Sequence, residues 1–311
     1  MRTPCERVRS IDGGPSTEKL SRGGCGFNRL AVPGPSLALA LALAGASPTP
    51  AAAQAERVIF PDAARRFEFP LASPRTSAMV GRIIRVSRGE SAFGAEWEAE
   101  PALGEIWPLL SLSRGRAPVT LHLGTEVYGR FSLADKSNAL ISNDWNVNAV
   151  LTVDGRHWHW AVEGYHESSH LGDEYHQRFP LVSRVNWSRE ILGLWAGYVV
   201  GDVQLRGNVS YAAIDAVNVG RGGAALAADY IGHRGGLLGK YLQPVLAGWA
   251  DAQEYSGWHV TWSGRAGVRL PDADGRRAFA LLLNFLDGVS PQRQFYLSRT
   301  RYVGIEVRFD L

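Results

Sequence analysis

His166 and Ser168 stand two residues apart inside the run from Tyr165 to Glu174, Tyr-His-Glu-Ser-Ser-His-Leu-Gly-Asp-Glu. A serine hydroxyl becomes a useful nucleophile when a neighbouring base takes its proton, and imidazole is the commonest such base. On an extended segment, residues two apart share a face at a Cα separation of about 6.6–7 Å. An imidazole leaning along the strand then reaches the hydroxyl. The chemistry this pair supports is acyl-ester cleavage, with Ser168 as nucleophile and His166 as base. A third group must orient the imidazole. Asn186 is the candidate, because folding the chain back about the segment after Ser168 brings it near Gly164–His166. Its own face is undecided: Val185 and Trp187 argue for inward, Leu192 and Leu194 for outward. Asp173 and Glu174, with Glu167, make the following loop acidic, and such carboxylates suit Ca²⁺. The ion would polarise the ester and bridge phosphate head groups. The plain alternatives are a polar rim for His166 and Ser168 and a solvated loop for Asp173 and Glu174. His166 and His170, four apart, would read as a metal pair only on a helix.

The elements that carry these residues read as strands. Trp158, Trp160, Val162, Gly164, His166 and Ser168 fall on one face. Asp154 and Gly155 just before them are a two-residue hairpin signal. Val119–Val127 and Trp145–Val153 alternate likewise. The last strand, Arg301–Leu311, sets Val303, Ile305, Val307, Phe309 and Leu311 against Tyr302, Gly304, Glu306, Arg308 and Asp310. One face is apolar and the other carries three charges, up to a final apolar residue. Ten tryptophans and ten tyrosines suit aromatic girdles. No segment after the first 55 residues has 18 consecutive apolar residues, which excludes transmembrane helices. The pattern therefore predicts an all-β, antiparallel transmembrane β-barrel of about 12 strands, range 10–14, at roughly 20 residues per strand and loop. The tight Asp154–Gly155 turn belongs on the periplasmic side. The strand then rises, so that His166 and Ser168 reach the outer-leaflet boundary. An outer loop is expected from Ser169 to about Pro180, and a returning strand from about Leu181 to Leu194.

Domain organisation follows. Arg29, the apolar run Leu30–Ala46 and the small-x-small Ala53-Gln-Ala55 predict a signal segment over residues 1–55. Residues 56–78, Pro-rich around Phe69–Pro74, are expected as a periplasmic lead-in, and 79–311 as the barrel. Six of the 33 Lys and Arg and three of the 30 Asp and Glu lie in residues 1–55, so the remainder balances at zero. No basic patch argues for nucleic acid. Cys5 and Cys25 both fall in the leader, which excludes a disulfide framework and a thiolate metal site from the rest.

Two resemblances rest on these residues. The His-x-Ser-Ser-His-Leu-Gly-Asp-Glu run, Phe69-Pro-Leu71 and Asp287-Gly-x-Ser-Pro291 resemble an uncharacterised family of bacterial envelope proteins. More distantly, His166 and Ser168, Ser183-Arg-Val-Asn186 and Thr300–Ile305 resemble outer-membrane phospholipase A. The second resemblance implies a 12-stranded barrel, a lipid-facing His-x-Ser pair with an Asn on the next strand, and calcium-dependent homodimers. It departs from that family after the serine, where Ser169-His-Leu171 replaces Asn-Gly-Arg, and it offers no clear match to the calcium ligands. The expected activity is acyl-ester hydrolysis of membrane lipids at the outer leaflet of the bacterial outer membrane, with delivery by the assembly machinery through the C-terminal strand. A non-enzymatic barrel, either a narrow channel or a structural protein, and a lipopolysaccharide deacylase stay open beside it.

Overall fold

The computed structural model describes residues 56–61, 68–75, 79–89, 97–113, 117–134, 136–232, 241–273 and 277–310. The expected signal segment lies outside them. Thirteen strands follow in order: β1 (Glu56–Ile59), β2 (Met79–Arg88), β3 (Trp97–Ser113), β4 (Val119–Ser132), β5 (Leu140–Asp154), β6 (Trp158–Leu171), β7 (Trp187–Val200), β8 (Val203–Asp215), β9 (Gly222–Ile231), β10 (Gln243–Gln253), β11 (Val260–Pro271), β12 (Ala278–Val289) and β13 (Arg299–Asp310). From β2 onward each strand pairs antiparallel with the next, and β13 pairs back onto β2, so twelve strands close on themselves. β1 lies outside this ring, paired with Leu110–Ser113 of β3. The result is the closed twelve-stranded barrel that the alternation predicts. Among the described residues no helix is long and apolar enough to cross a membrane.

The two ends of the barrel differ. Met79 pairs with Phe309 near one end, so β2 starts where β13 finishes. The hairpins at that end include two tight ones. Gly155 N–H donates to the Trp158 carbonyl at 2.8 Å. Gly201, at φ +60, opens the two-residue link between β7 and β8, a left-handed conformation that glycine adopts without a Cβ penalty. The opposite end carries longer connections. These include helix α1 (Asp173–Arg178) and 3₁₀ turns at Glu254–Ser256 and Arg293–Phe295.

Alternation sorts the side chains. Leu123, Trp145, Val162, Leu192, Leu283 and Ile305 are among the many large apolar groups that stand exposed outside. The buried faces point into the lumen and hold charge, the reverse of a soluble sandwich and the pattern of an outer-membrane barrel. Glu306 of β13 accepts from Arg82 Nε of β2 and Arg265 Nε of β11, each at 2.7 Å, which pins the closing seam from inside. Arg130 pairs with Glu98, and Arg206 Nη1 with Asp229 at 2.7 Å. A buried charge is tolerable only with such partners.

The lumen also holds chain. Glu68–Arg75, expected in the periplasm ahead of the barrel, lies within it. Ser73 N–H donates to the Pro70 carbonyl at 3.0 Å and closes a turn. Leu71 and Ala72 at its tip are buried against Val245, Ala247, Ala280 and Leu282 of the inner wall. Leu71 N–H donates to Asp229 Oδ2 at 3.1 Å. Phe69 meets the Trp195 ring edge-on at 5.8 Å. Burying a leucine side chain contributes roughly 1.5–3 kcal/mol, so these contacts favour insertion.

Candidate active site on the outer face

β6 is held on both sides. Ser168 pairs with Trp145 of β5 and Ser188 of β7, and His166 pairs with Val147 and Glu190. The face assignment follows the burial of its neighbours. Ala161, Glu163, Glu167, Ser169 and Leu171 are buried towards the lumen, while Trp158, Trp160 and Val162 stand exposed outside. Gly164, His166, Ser168 and His170 continue that outward face, as the sequence predicts. On β7, Trp187, Arg189, Ile191 and Trp195 are buried inward, which places Ser188, Glu190, Leu192 and Leu194 outward.

The side chain that meets the His166 imidazole is therefore Glu190. Its Oε1 lies 2.7 Å from His166 Nδ1, with the two side chains 47% and 41% exposed. With the proton on Nδ1, the imidazole donates to this carboxylate and leaves Nε2 free to accept from a hydroxyl. Ser168 stands two residues further along the same face. Beside it Ser188 adds a second hydroxyl, directly across the strand pair. Four polar residues thus form a block on the outer wall, bounded by Trp145, Val147 and Leu192; elsewhere that wall also carries Glu105, Thr125 and the Asp287–Arg301 pair.

Asn186 is placed differently from the expectation. The β6–β7 pairing starts at Ser169 and Trp187, so Asn186 precedes the strand and is exposed in the loop. The cause is local. Gly172 ends β6, its N–H donating to the Ile141 carbonyl at 2.8 Å, and a Cβ there would collide with the Leu140 carbonyl. The chain then turns into α1, whose Tyr175 packs against Phe179 and Phe295. The outer connection is therefore partly helical, and the returning strand begins six residues later than about Leu181. The structure does not gather the expected calcium ligands either. Asp173 Oδ1 accepts from Arg184 Nη2 at 2.7 Å, and Glu174 Oε2 accepts from Leu140 N–H at 3.0 Å. Among the described residues no three His, Cys, Asp or Glu side chains come together as a metal site. His166 and His170, four residues apart on a strand, are about 13 Å apart at Cα and share no ion.

Comparison with known proteins bears on the whole barrel. Residues 54–311 match the family described as "Protein of unknown function (DUF1207)". The chain belongs to that family. No curated protein matches it in sequence. Among solved structures, the DUF1207 chain is similar to outer membrane phospholipase A from Escherichia coli, at 15% identity and a TM-score of 0.52, covering 78% of this chain and 99% of that one. It is similar also to the Salmonella typhi outer membrane phospholipase dimer with bound calcium, at 14% identity and a TM-score of 0.52, over 80% and 94% of the two chains. At these identities the likeness establishes the fold of an outer-membrane barrel.

Behind the site, the inward face of the DUF1207 barrel carries an anchor. Glu167, between His166 and Ser168, points into the lumen. Its Oε1 accepts from Arg293 Nε and from Trp187 Nε1, each at 2.8 Å, and its Oε2 from Arg75 Nη1 at 2.7 Å. Arg75 also pairs with Asp144 of β5 and donates from Nε to the Pro291 carbonyl at 2.9 Å. Glu190 and this anchor are absent from the sequence expectation. A signal for Glu190 existed: it shares its parity with Leu192 and Leu194, a charge on an apolar face.

Proposed function

We propose that this barrel is an outer-membrane lipid hydrolase in which Ser168 is the nucleophile, His166 the base and Glu190 the group that orients it. The observation that carries the reading is the 2.7 Å His166–Glu190 pair beside Ser168 on the apolar outer face. Ionisable residues facing lipid are expensive and mark function. Ser168 Oγ attacks the ester carbonyl while His166 Nε2 takes its proton, and Glu190 stabilises the imidazolium. The tetrahedral intermediate collapses, and the leaving alcohol takes the proton from Nε2. Water, deprotonated by the same nitrogen, then cleaves the acyl-serine and releases the fatty acid.

The partner is a membrane phospholipid at the outer leaflet, and delivery to the outer membrane uses the assembly machinery that reads the last strand. Calcium belongs to the Salmonella typhi protein. Here the carboxylates of Asp173 and Glu174 are engaged by Arg184 and by the Leu140 amide, which does not fit a calcium site, and no step runs through a cation. The channel reading is weakened because Glu68–Arg75 occupies part of the lumen, leaving cavities of about 130 and 380 Å³ along this segment. The test is fatty-acid release from phospholipid micelles by the refolded chain, with calcium or chelator, beside Ser168→Ala. Release lost in the variant supports the reading. Release that persists in Ser168→Ala, or none from a folded barrel, overturns it. Preference for lipopolysaccharide over phospholipid would make it a deacylase.

A further inference from the structure

We infer that Arg75, carried into the lumen by the segment Glu68–Arg75, is a positioning residue for the site on the opposite face of β6. This rests on the hydrolase reading. On the outer face Glu190 holds the His166 imidazole, and lipid offers no further hydrogen bonds. His166 and Ser168 are braced from behind through Glu167, the residue between them. That carboxylate is buried and engaged at both oxygens. Arg293 comes from the loop after β12, Trp187 from the start of β7, and Arg75 from the inserted segment.

Arg75 joins β5, β6 and the loop after β12, and the Arg293 amide, 3.2 Å from Asp144 Oδ2, adds a second tie. Arg75 pairs with Glu167 on β6 and with Asp144 on β5, two strands that meet at Asp144 and Ser169. Trp187, held by the same carboxylate, is paired with Ser169 and precedes Ser188 on β7. The two seams that flank Ser168 are thus tied together from within by Arg75 and Arg293 acting on the carboxylates of Glu167 and Asp144. Outside, the same seams set the His166–Glu190 contact and the reach from His166 to Ser168. An error of about 1 Å in such a reach costs on the order of 100-fold in rate. Arg293 remains when Arg75 is removed, so the loss is smaller than that limit.

The test compares wild-type chain, Arg75→Met, Arg75→Lys and Glu167→Gln, all full-length and refolded, with heat-modifiable migration as the check on assembly. Micellar phospholipid is the substrate. Arg75→Met is expected to lower kcat about ten-fold with KM unchanged. Arg75→Lys keeps the charge and loses the fork, and is expected to fall about three-fold. In the Glu167→Gln background Arg75→Met should cost much less, because the effect runs through that carboxylate. An unchanged kcat in Arg75→Met overturns the inference, as does an undiminished ten-fold loss in the Glu167→Gln background. If Arg75→Met fails to assemble, Arg75→Lys decides: wild-type kcat there overturns it. If the wild-type chain hydrolyses nothing, the hydrolase reading fails separately. A spin label on Ser168→Cys then reads positioning without turnover: greater mobility with Arg75→Met supports the inference, and an unchanged spectrum overturns it.

Discussion

On the proposed mechanism, replacing Glu190 by alanine isolates the contribution of the carboxylate beside His166. A hydrogen bond to a charged group contributes about 1.5–3 kcal/mol, which corresponds to roughly 10–150-fold in rate at 1.36 kcal/mol per decade. Both side chains are close to half exposed, and solvent screening places the effect in the lower part of that range. The expected loss in kcat is therefore about 10–30-fold, with KM little changed, because the contact strengthens as the imidazole becomes charged. Glu190→Gln keeps the size and one acceptor oxygen, and should fall between alanine and wild type. The assay is initial-rate fatty-acid release from micellar phospholipid, normalised to the fraction of heat-modifiable barrel. Asn186→Ala is the counter-test, since the exposed loop position of Asn186 gives it no contact with His166. A loss at Asn186 larger than at Glu190, or a Glu190→Ala enzyme within three-fold of wild type, would refute the argument from register.

Four further outcomes follow from the same structure. His170→Ala should retain most of the activity while His166→Ala loses it, since only His166 has the Glu190 partner; kcat for the two variants checks this. Glu306→Gln removes the shared partner of two buried arginines, and breaking such a buried pair costs about 3–5 kcal/mol; the temperature at which the barrel loses its compact gel migration should fall. Glu254, in the 3₁₀ turn outside the strands, is held below the ordinary carboxylate range by the Gly222 and Arg221 amides. Its folded value lies below its unfolded value, so its contribution is complete above the unfolded value of about 4.3 and is lost as pH falls through the folded one; the protection factors of the Arg221 and Gly222 amides, taken against the intrinsic exchange rate at each pH, should fall on acidification below that range. In planar bilayers the wild-type chain should show no steady conductance, and a persistent open pore would contradict the filled lumen.

Much of the fold was legible because a barrel strand writes its two faces in alternate letters. The last strand is the clearest case: Val303, Ile305 and Phe309 are exposed outside, while Tyr302, Glu306 and Arg308 are buried inside. The outward placement of His166 and Ser168 was legible for the same reason. Their partner was not, because register across a hairpin depends on what the connection does. Six residues wound into α1 delay β7 to Trp187, and folding symmetrically about the loop selects Asn186 instead of Glu190. Glu68–Arg75 escaped for a different cause. It has no periodicity to read, and Leu71 becomes a core residue only when the barrel wall surrounds it.

Only residues 76–78 separate Arg75 from the start of β2, the strand that closes the ring against β13. The segment and the seam are therefore neighbours in the chain as well as in space. A ring sealed with the segment left outside would lose the contacts of Leu71 and Ala72 with the inner wall. Chain and seam are thus coupled: residues that fill the lumen lie beside the strand that closes it. A barrel filled in this way is occupied by its own chain, so the wall that carries His166, Ser168 and Glu190 outside is backed from within.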